Sequence, residues 1–243
     1  MIRASKITVS TFALALLFCL RSDVIACTCM GNVGPPCQEY WRADAVFVGQ
    51  VKAKEFKEQF KKAEVRAPGE EVRVTFTITE AFRGALGKEA DVFTNSSGAF
   101  CGYSFDSGGT YIVYASEYPK GGGKLYTSIC TRTQRYSESS PDIAYAKPLA
   151  NVPSGAVISG VVIHVREGHG PDSRVPLANV RVIVTGKDKQ VKVTTNNKGR
   201  YKTPPLPAGE YAIKIEPPEG MSEQKWKATV MDRGCVEVSF RPR

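Results

Sequence analysis

The sequence predicts an all-β protein in two parts, each with its own small core. Apolar, β-branched and aromatic residues alternate with polar ones along many short segments, the period of a strand with one buried face. Turn-forming Gly, Pro, Asn and Ser separate these segments. A stretch rich in the same residues, AKPLANVPSGAV (146–157), divides them into two sets. The division is a leader at 1–26, a first β domain at 27–150 and a second at 151–243.

Residues 1–26, MIRASKITVSTFALALLFCLRSDVIA, read as a cleavable leader. Arg3 and Lys6 supply a positive start. Thr8 to Leu20 is an apolar run too short to span a bilayer as a helix, and Val24 and Ala26 are the small residues a signal peptidase reads. Cleavage after Ala26 makes Cys27 the first residue and directs the chain to the extracellular space or periplasm. Val24-Ile25-Ala26-Cys27 also has the form of a bacterial lipobox, although Arg21, Ser22 and Asp23 separate it from the apolar run. Lipid anchoring at Cys27 is therefore the alternative, and it would leave that residue neither a disulfide nor a free amine. No second apolar run is long enough to span a membrane.

The stretch VIACTCMGNVGPPC (24–37) places three cysteines within eleven residues. Cys27-Thr28-Cys29 is too tight for a Cys-X-X-Cys zinc or redox motif, and a bond between the two would close a strained ring. With Cys19 lost in the leader, Cys27, Cys29, Cys37, Cys101, Cys130 and Cys235 remain. An even count in an exported chain reads as three disulfides, with fifteen connectivities open.

In the first half, AVFVGQVKA (45–53), EVRVTFTITE (71–80), ADVFT (90–94), TYIVYAS (110–116) and KLYTSIC (124–130) read as strands. Val72, Val74, Phe76 and Ile78 share one face, and Arg73, Thr75, Thr77 and Thr79 the other. Five such strands fit a small antiparallel barrel. The charged stretch 54–70 reads as a mobile excursion between the first two strands, or as a short helix with Phe56 and Phe60 on one face. In the second half, segments 157–165, 179–186, 190–196, 209–217, 225–231 and 235–240 read as six strands, with tight turns at NNKG (196–199) and PPLPAGEY (204–211). That pattern fits a β-sandwich of roughly 90 residues, enough to bury its own core.

No enzyme signature and no cofactor motif stands out. His164 and His169 are the two histidines, and they read as a strand end and a solvated loop. Trp41 and Trp226 read as core or edge packing. KGGGK (120–124) lacks the Ser/Thr and spacing of a P-loop, and Asn95-Ser96-Ser97 is a glycosylation sequon that matters only in a secreting eukaryote. Without the leader the chain carries 30 Lys and Arg against 23 Asp and Glu, a net charge of +7. This suits an acidic surface such as anionic polysaccharide, and equally a solvated face. No basic run interleaved with aromatics points to nucleic acid.

The first half resembles the netrin-like domain, and within it the tissue inhibitor of metalloproteinases family. The resemblance rests on Cys27-Thr28-Cys29, ADAVFVGQV (43–51), CGYSFDSGGTYIVYA (101–115) and LYTSIC (125–130). It implies a five-stranded barrel of the oligonucleotide/oligosaccharide-binding type, with Cys27 paired to Cys101 and Cys29 to Cys130. The family's third pair lies within the domain, but here no cysteine follows Cys130 until Cys235. Cys37 and Cys235 are then either bonded across the two domains or both free; parity favours the bond. The second half resembles the carboxypeptidase regulatory-like domain, a transthyretin-like sandwich, through PLANVRVIVTG (176–186) and residues 194–220, with Asn196 where the family often has Asp. That resemblance brings no catalytic residue.

The inhibitor resemblance implies a non-catalytic role. The free α-amine and carbonyl oxygen of Cys27 would cap the catalytic zinc of a target protease. Thr28 would enter the specificity pocket, and Cys29 and Met30 would continue the ridge. The alternative is a surface binding or adhesion module that holds anionic polysaccharide on a basic face including Lys52, Lys54, Lys57, Lys61 and Lys62.

Overall fold

The computed structural model of the chain describes residues 27–29, 33–56, 70–84, 86–138, 140–166 and 173–243. Residues 1–26, expected to be a leader, lie outside the described residues, as do Met30, His169, Lys57, Lys61 and Lys62 and most of the charged stretch 54–70. Residues 54–56 continue the first strand and do not begin a helix.

The first half is a closed barrel. Its strands are β1 (Ala45–Phe56), β2 (Glu71–Arg83), β3 (Glu89–Asn95), β4 (Thr110–Glu117), β5 (Leu125–Tyr126) and β6 (Gln134–Arg135), in the order β1-β2-β3-β5-β4-β6, and β1 also pairs with β4 to close the ring. β5 and β6 share one edge of β4 at different heights, meeting it at Ser116–Glu117 and at Tyr111–Ile112. Two expectations need correction. The barrel is not wholly antiparallel, because β3 and β5 pair in parallel. KLYTSIC is a strand only at Leu125–Tyr126. Beyond it the Ser128 hydroxyl accepts the Cys130 N–H at 3.1 Å and the Ser128 carbonyl accepts Thr131 N–H, folding the chain into a turn.

The alternation of β2 is realised: Val72, Val74 and Phe76 are buried, with Ile78 packed at the edge of the same cluster. β1 and β4 instead read as continuous apolar runs, because both their faces are covered. Phe47, Val51, Tyr111 and Val113 point into the barrel, and Val46, Val48, Ile112 and Tyr114 point outward under two helices. The β1–β2 register slips at three places, the kind of bulge that bends a strand around a closing sheet. The covering helices, α1 (Pro36–Arg42) and α2 (Pro141–Ala146), were not expected from the sequence. Each starts with Pro at its first position, where the missing N–H costs nothing, and the Ser140 hydroxyl caps α2 by accepting the Ile143 N–H at 3.2 Å.

The second half holds two facing sheets around one core. The first has the order β11 (Gln190–Thr194), β10 (Arg181–Thr185), β13 (Gly209–Glu216), β14 (Lys225–Val230). The second has the order β12 (Arg200–Lys202), β7 (Val157–Val161), β15 (Cys235–Glu237), and a small hairpin joins β8 (Ile163–Val165) to β9 (Arg174–Pro176). Val182, Val184, Ile213 and Ile215 of one sheet share a core with Ile158 and Tyr201 of the other and with Val162 and Phe240, which are bridged to each other just beyond β7 and β15, all buried. The expected strand 157–165 is broken between β7 and β8, and β9 and β12 are strands that the alternation did not reveal. Gly160 in β7 is required by close approach: a Cβ there would lie 1.9 Å from the Val238 carbonyl oxygen.

The two halves meet along α1 and β15. Cys37 bonds Cys235, with Cα atoms 5.2 Å apart, and the Gln38 side-chain oxygen accepts the Glu237 N–H at 2.9 Å. Trp41 donates its indole N–H to Tyr145, whose hydroxyl donates to the Arg233 carbonyl. Trp226 lies on the edge strand β14 but is not packed there; it is 56% exposed.

Candidate functional site

The candidate site is the segment Cys27–Cys29 at one end of the barrel. Cys27 and Cys29 are half-buried and Thr28 between them is exposed. Cys27 bonds Cys101 with Cα atoms 5.1 Å apart, and Cys29 bonds Cys130 at 5.4 Å. The two acceptors sit on different connections, Cys101 between β3 and β4 and Cys130 between β5 and β6. Those connections are themselves joined, since Ile129 N–H donates to the Cys101 carbonyl at 3.0 Å.

Local sequence explains how the acceptors are presented. After β3, the Ser97 hydroxyl accepts the Ala99 N–H at 3.2 Å and starts a single 3-10 turn, Gly98–Phe100. Cys101 closes that turn in the left-handed region, φ 61°, an uncommon conformation for a residue with a side chain. Gly102 follows because a Cβ at that position would come within 2.0 Å of the Asn95 carbonyl.

The Sγ atoms of Cys27, Cys29 and Cys130 lie within 4.8 Å of one another. All three are oxidised, and a disulfide sulfur lacks the thiolate charge that binds a metal. The cluster is the crossing point of two staples.

Downstream of Cys29 the chain is held by a buried polar network that the sequence did not flag. Asp142 on α2 is fully buried. Its carboxylate accepts Arg132 Nε at 2.5 Å and Nη2 at 2.8 Å, the Tyr114 hydroxyl at 2.8 Å and Gln134 Nε2 at 2.6 Å. The other arm of Arg132, Nη1, donates to the Gly34 carbonyl at 2.9 Å. The ion pair holds the Arg132 guanidinium above its ordinary range, and burial and the Asp142 carboxylate push the Tyr114 hydroxyl well up, so it stays protonated as a donor. Two further residues also escaped notice. Phe100 and Ile129, each one residue from a disulfide partner, are large apolar side chains left 38% and 43% exposed. Their signal was visible in FCGY and SIC, as bulky apolar residues beside cysteines.

The other sequence candidates do not join this site. His164 lies on β8, its ring nitrogen 3.1 Å from the Pro242 carbonyl oxygen. Lys52 is paired with Glu89 at 2.5 Å, and Lys54 donates to the Phe105 carbonyl at 2.8 Å.

A half-buried pair of stapled cysteines sits on a barrel whose ring is closed by β1 to β5, with β6 attached to β4, so the first half is a disulfide-pinned β barrel. Residues 25–144 match the family model for tissue inhibitor of metalloproteinase, and this stretch is a domain of that family. A search of curated proteins found no match. Among solved structures the chain is similar to the minor pilin GBS52 of Streptococcus agalactiae, with 13% identity, a TM-score of 0.29 and 82% of each chain covered. It is also similar to the TIE protein of Bacillus anthracis, at 13% identity and a TM-score of 0.30, over 82% of this chain and 34% of that one. A streptococcal ancillary pilin gives 14% identity and a TM-score of 0.24, over 82% and 58%. Likenesses this distant carry no functional argument. Three disulfides belong to an oxidising compartment. Among the described residues no helix is long and apolar enough to cross a membrane.

Proposed function

We propose that the chain is exported, loses residues 1–26, and acts as a non-catalytic inhibitor of a zinc metalloprotease through domain 27–150, with 151–243 as an appended domain. The observation that carries this reading is the exposure of Thr28 between two cysteines pinned to separate barrel connections; Phe100 and Ile129, each next in sequence to one of the cysteines they bond, are exposed as well.

The chemistry follows from the N-terminus that cleavage creates. A catalytic zinc keeps an open coordination position. The α-amine of Cys27 has an ordinary pKa of about 7.7–8.0, so a useful fraction is neutral at pH 7. The amine and the Cys27 carbonyl close a five-membered chelate and displace the water that the zinc activates. Thr28 enters the pocket beside the zinc, and Cys29 and Met30 continue along the cleft. Docking costs little conformational entropy, because the staples have already fixed the backbone. The Cys27–Cys101 bond also occupies the sulfur that a lipid anchor would require.

The test compares the mature chain with a version carrying one alanine before Cys27, against a panel of zinc metalloproteases. The native N-terminus is expected to inhibit at least one, and the extended chain to lose inhibition with an unchanged melting curve. Equal inhibition by both would remove the chelation model. Mass spectrometry of the unreduced protein from its native host checks the premise, a free Cys27 at the start.

A further inference from the structure

A second candidate site lies between the halves, away from the cysteine ridge. A cleft of about 580 Å³ opens between β14 and β15 under α1, lined by Trp41, Trp226, Met231, Lys227, Glu237 and Ser239. Trp226 and Met231 are 56% and 45% exposed. The positive charge of the mature chain is concentrated on this side: residues 151–243 carry 15 Lys and Arg against 9 Asp and Glu.

Both strands bordering the cleft end their sheets. β14 pairs with β13 antiparallel, and Ile215 N–H bonds the Gln224 carbonyl at 3.2 Å. In an antiparallel ladder the groups of alternate residues point the same way. Residues 224, 226, 228 and 230 therefore face β13, and the N–H and C=O groups of Lys225, Lys227 and Thr229 face outward. Among the described residues none of these three backbones has a bonded partner, and Lys225 and Lys227 make no ion pair. The opposite border shows what such an edge requires. The Gln38 side chain accepts the Glu237 N–H, and the Gln224 amide both accepts the Arg241 N–H at 2.8 Å and donates to the Arg241 carbonyl at 2.9 Å. Side-chain amides occupy the place of a neighbouring strand along 237–241, while β14 has no such cover.

We propose that β14 receives an extended segment of a partner protein as an added antiparallel strand, with acidic residues at alternate positions and apolar residues between them. Charge complementarity sets the pattern. Residues opposite Lys225 and Lys227 lie on the lysine face of the sheet and are acidic; the intervening side chains turn into the cleft beside Trp226 and Met231 and are apolar. Two copies of this chain pairing through β14 would set lysine beside lysine, an arrangement that sheet edges use to prevent self-pairing. This inference stands independently of the inhibitor reading.

The chain has two tryptophans, and both line the cleft, so their fluorescence reports its occupancy directly. The probe is an acetylated, amidated octapeptide alternating Glu and Val, added to the mature protein. The expected result is a saturable change in tryptophan emission that the block-ordered peptide of the same composition does not produce. N-methylating the Glu amides, which face β14 in the antiparallel register, is expected to abolish binding, and N-methylating the Val amides to spare it. Lys225→Glu with Lys227→Glu, at exposed positions, is expected to weaken the Glu-Val peptide about tenfold or more and to create binding of a Lys-Val peptide. Equal binding of the block peptide, or binding that survives methylation of the Glu amides, overturns the proposal. So does an oligouronate that shifts the emission when the peptide does not, or self-association through β14 in sedimentation.

Discussion

Replacing Asp142 by Asn removes one charge and almost no volume, so its effect isolates the electrostatics of the buried network. Asp142 has no exposed surface and receives four donors from Arg132, Tyr114 and Gln134, and the Arg132 side chain is only 19% exposed. An asparagine keeps one acceptor oxygen and turns an NH2 toward the other donors. Gln134 can flip its amide to accept, and Tyr114 can rotate its hydroxyl, but a guanidinium has no acceptor to offer. Arg132 is left with a largely buried, uncompensated charge, a loss of about 3–5 kcal/mol. With a urea slope of about 2 kcal/mol per molar, the unfolding midpoint falls by about 2 M. The assay is urea unfolding followed by circular dichroism, on Asp142→Asn and on Asp142→Leu combined with Arg132→Met. The double variant removes both charges and is expected to recover most of the loss, because paired charges exchanged for apolar residues of similar size are often nearly neutral. A midpoint shift below about 0.3 M for Asp142→Asn, or a double variant no better than the single one, would refute the reasoning.

Gly160→Ala drives a methyl into the Val238 carbonyl, and β15 must move away from β7. Overpacking of this kind costs about 1–3 kcal/mol, and a fall in melting temperature of about 5 °C or more is expected. Acid should destabilise the chain below about pH 4. The hydrogen bond from Lys120 holds the Asp44 carboxyl below the usual carboxylate range, and the Ser154 hydroxyl does the same for Asp232. A carboxyl with a lowered folded pKa stabilises the fold above its unfolded value, and that stability is lost as pH falls through the folded one. Asp44→Asn should therefore flatten the acid limb of stability against pH. At the alkaline end, the hydrogen bond to Glu71 pushes the Tyr126 hydroxyl up to about 12. Its contribution is complete below about pH 10 and lost as pH rises toward 12, so Tyr126→Phe should remove part of an alkaline transition seen by ultraviolet titration of tyrosinate.

The long strands were legible because each carries at least one buried apolar face over five or more residues. Val72, Val74 and Phe76 mark β2, and Val182 and Val184 mark β10. Strands of two or three residues, such as β5, β6 and β12, cannot display a period and emerge only from their pairing. The helices are too short for a helical period; Ser140-Pro141 was the available signal for α2, through its cap and its first-position proline. The cysteine pairing could not be read from spacing, since six cysteines allow fifteen connectivities. Only the resemblance singled out Cys27 with Cys101 and Cys29 with Cys130. The Asp142 network was hidden because Arg132, Gln134 and Asp142 look like ordinary surface residues until α2 folds over the barrel. Trp226 misled in the opposite direction: its parity in β14 points inward, but the last strand of a sheet has no neighbour beyond it.

The three disulfides, taken in chain order, join the first cysteine to the fourth, the second to the fifth and the third to the sixth. Every peptide bond between Cys27 and Cys235 is therefore spanned by at least one cross-link. A single cut anywhere in that interval breaks the backbone and releases nothing; the fragments stay tethered until a reductant arrives. Between Cys130 and Cys235 the tether is Cys37–Cys235 alone, so a cut there followed by loss of that one bond would shed the second half and leave the first still stapled. In this chain, then, breaking the backbone and separating the two halves are separate events.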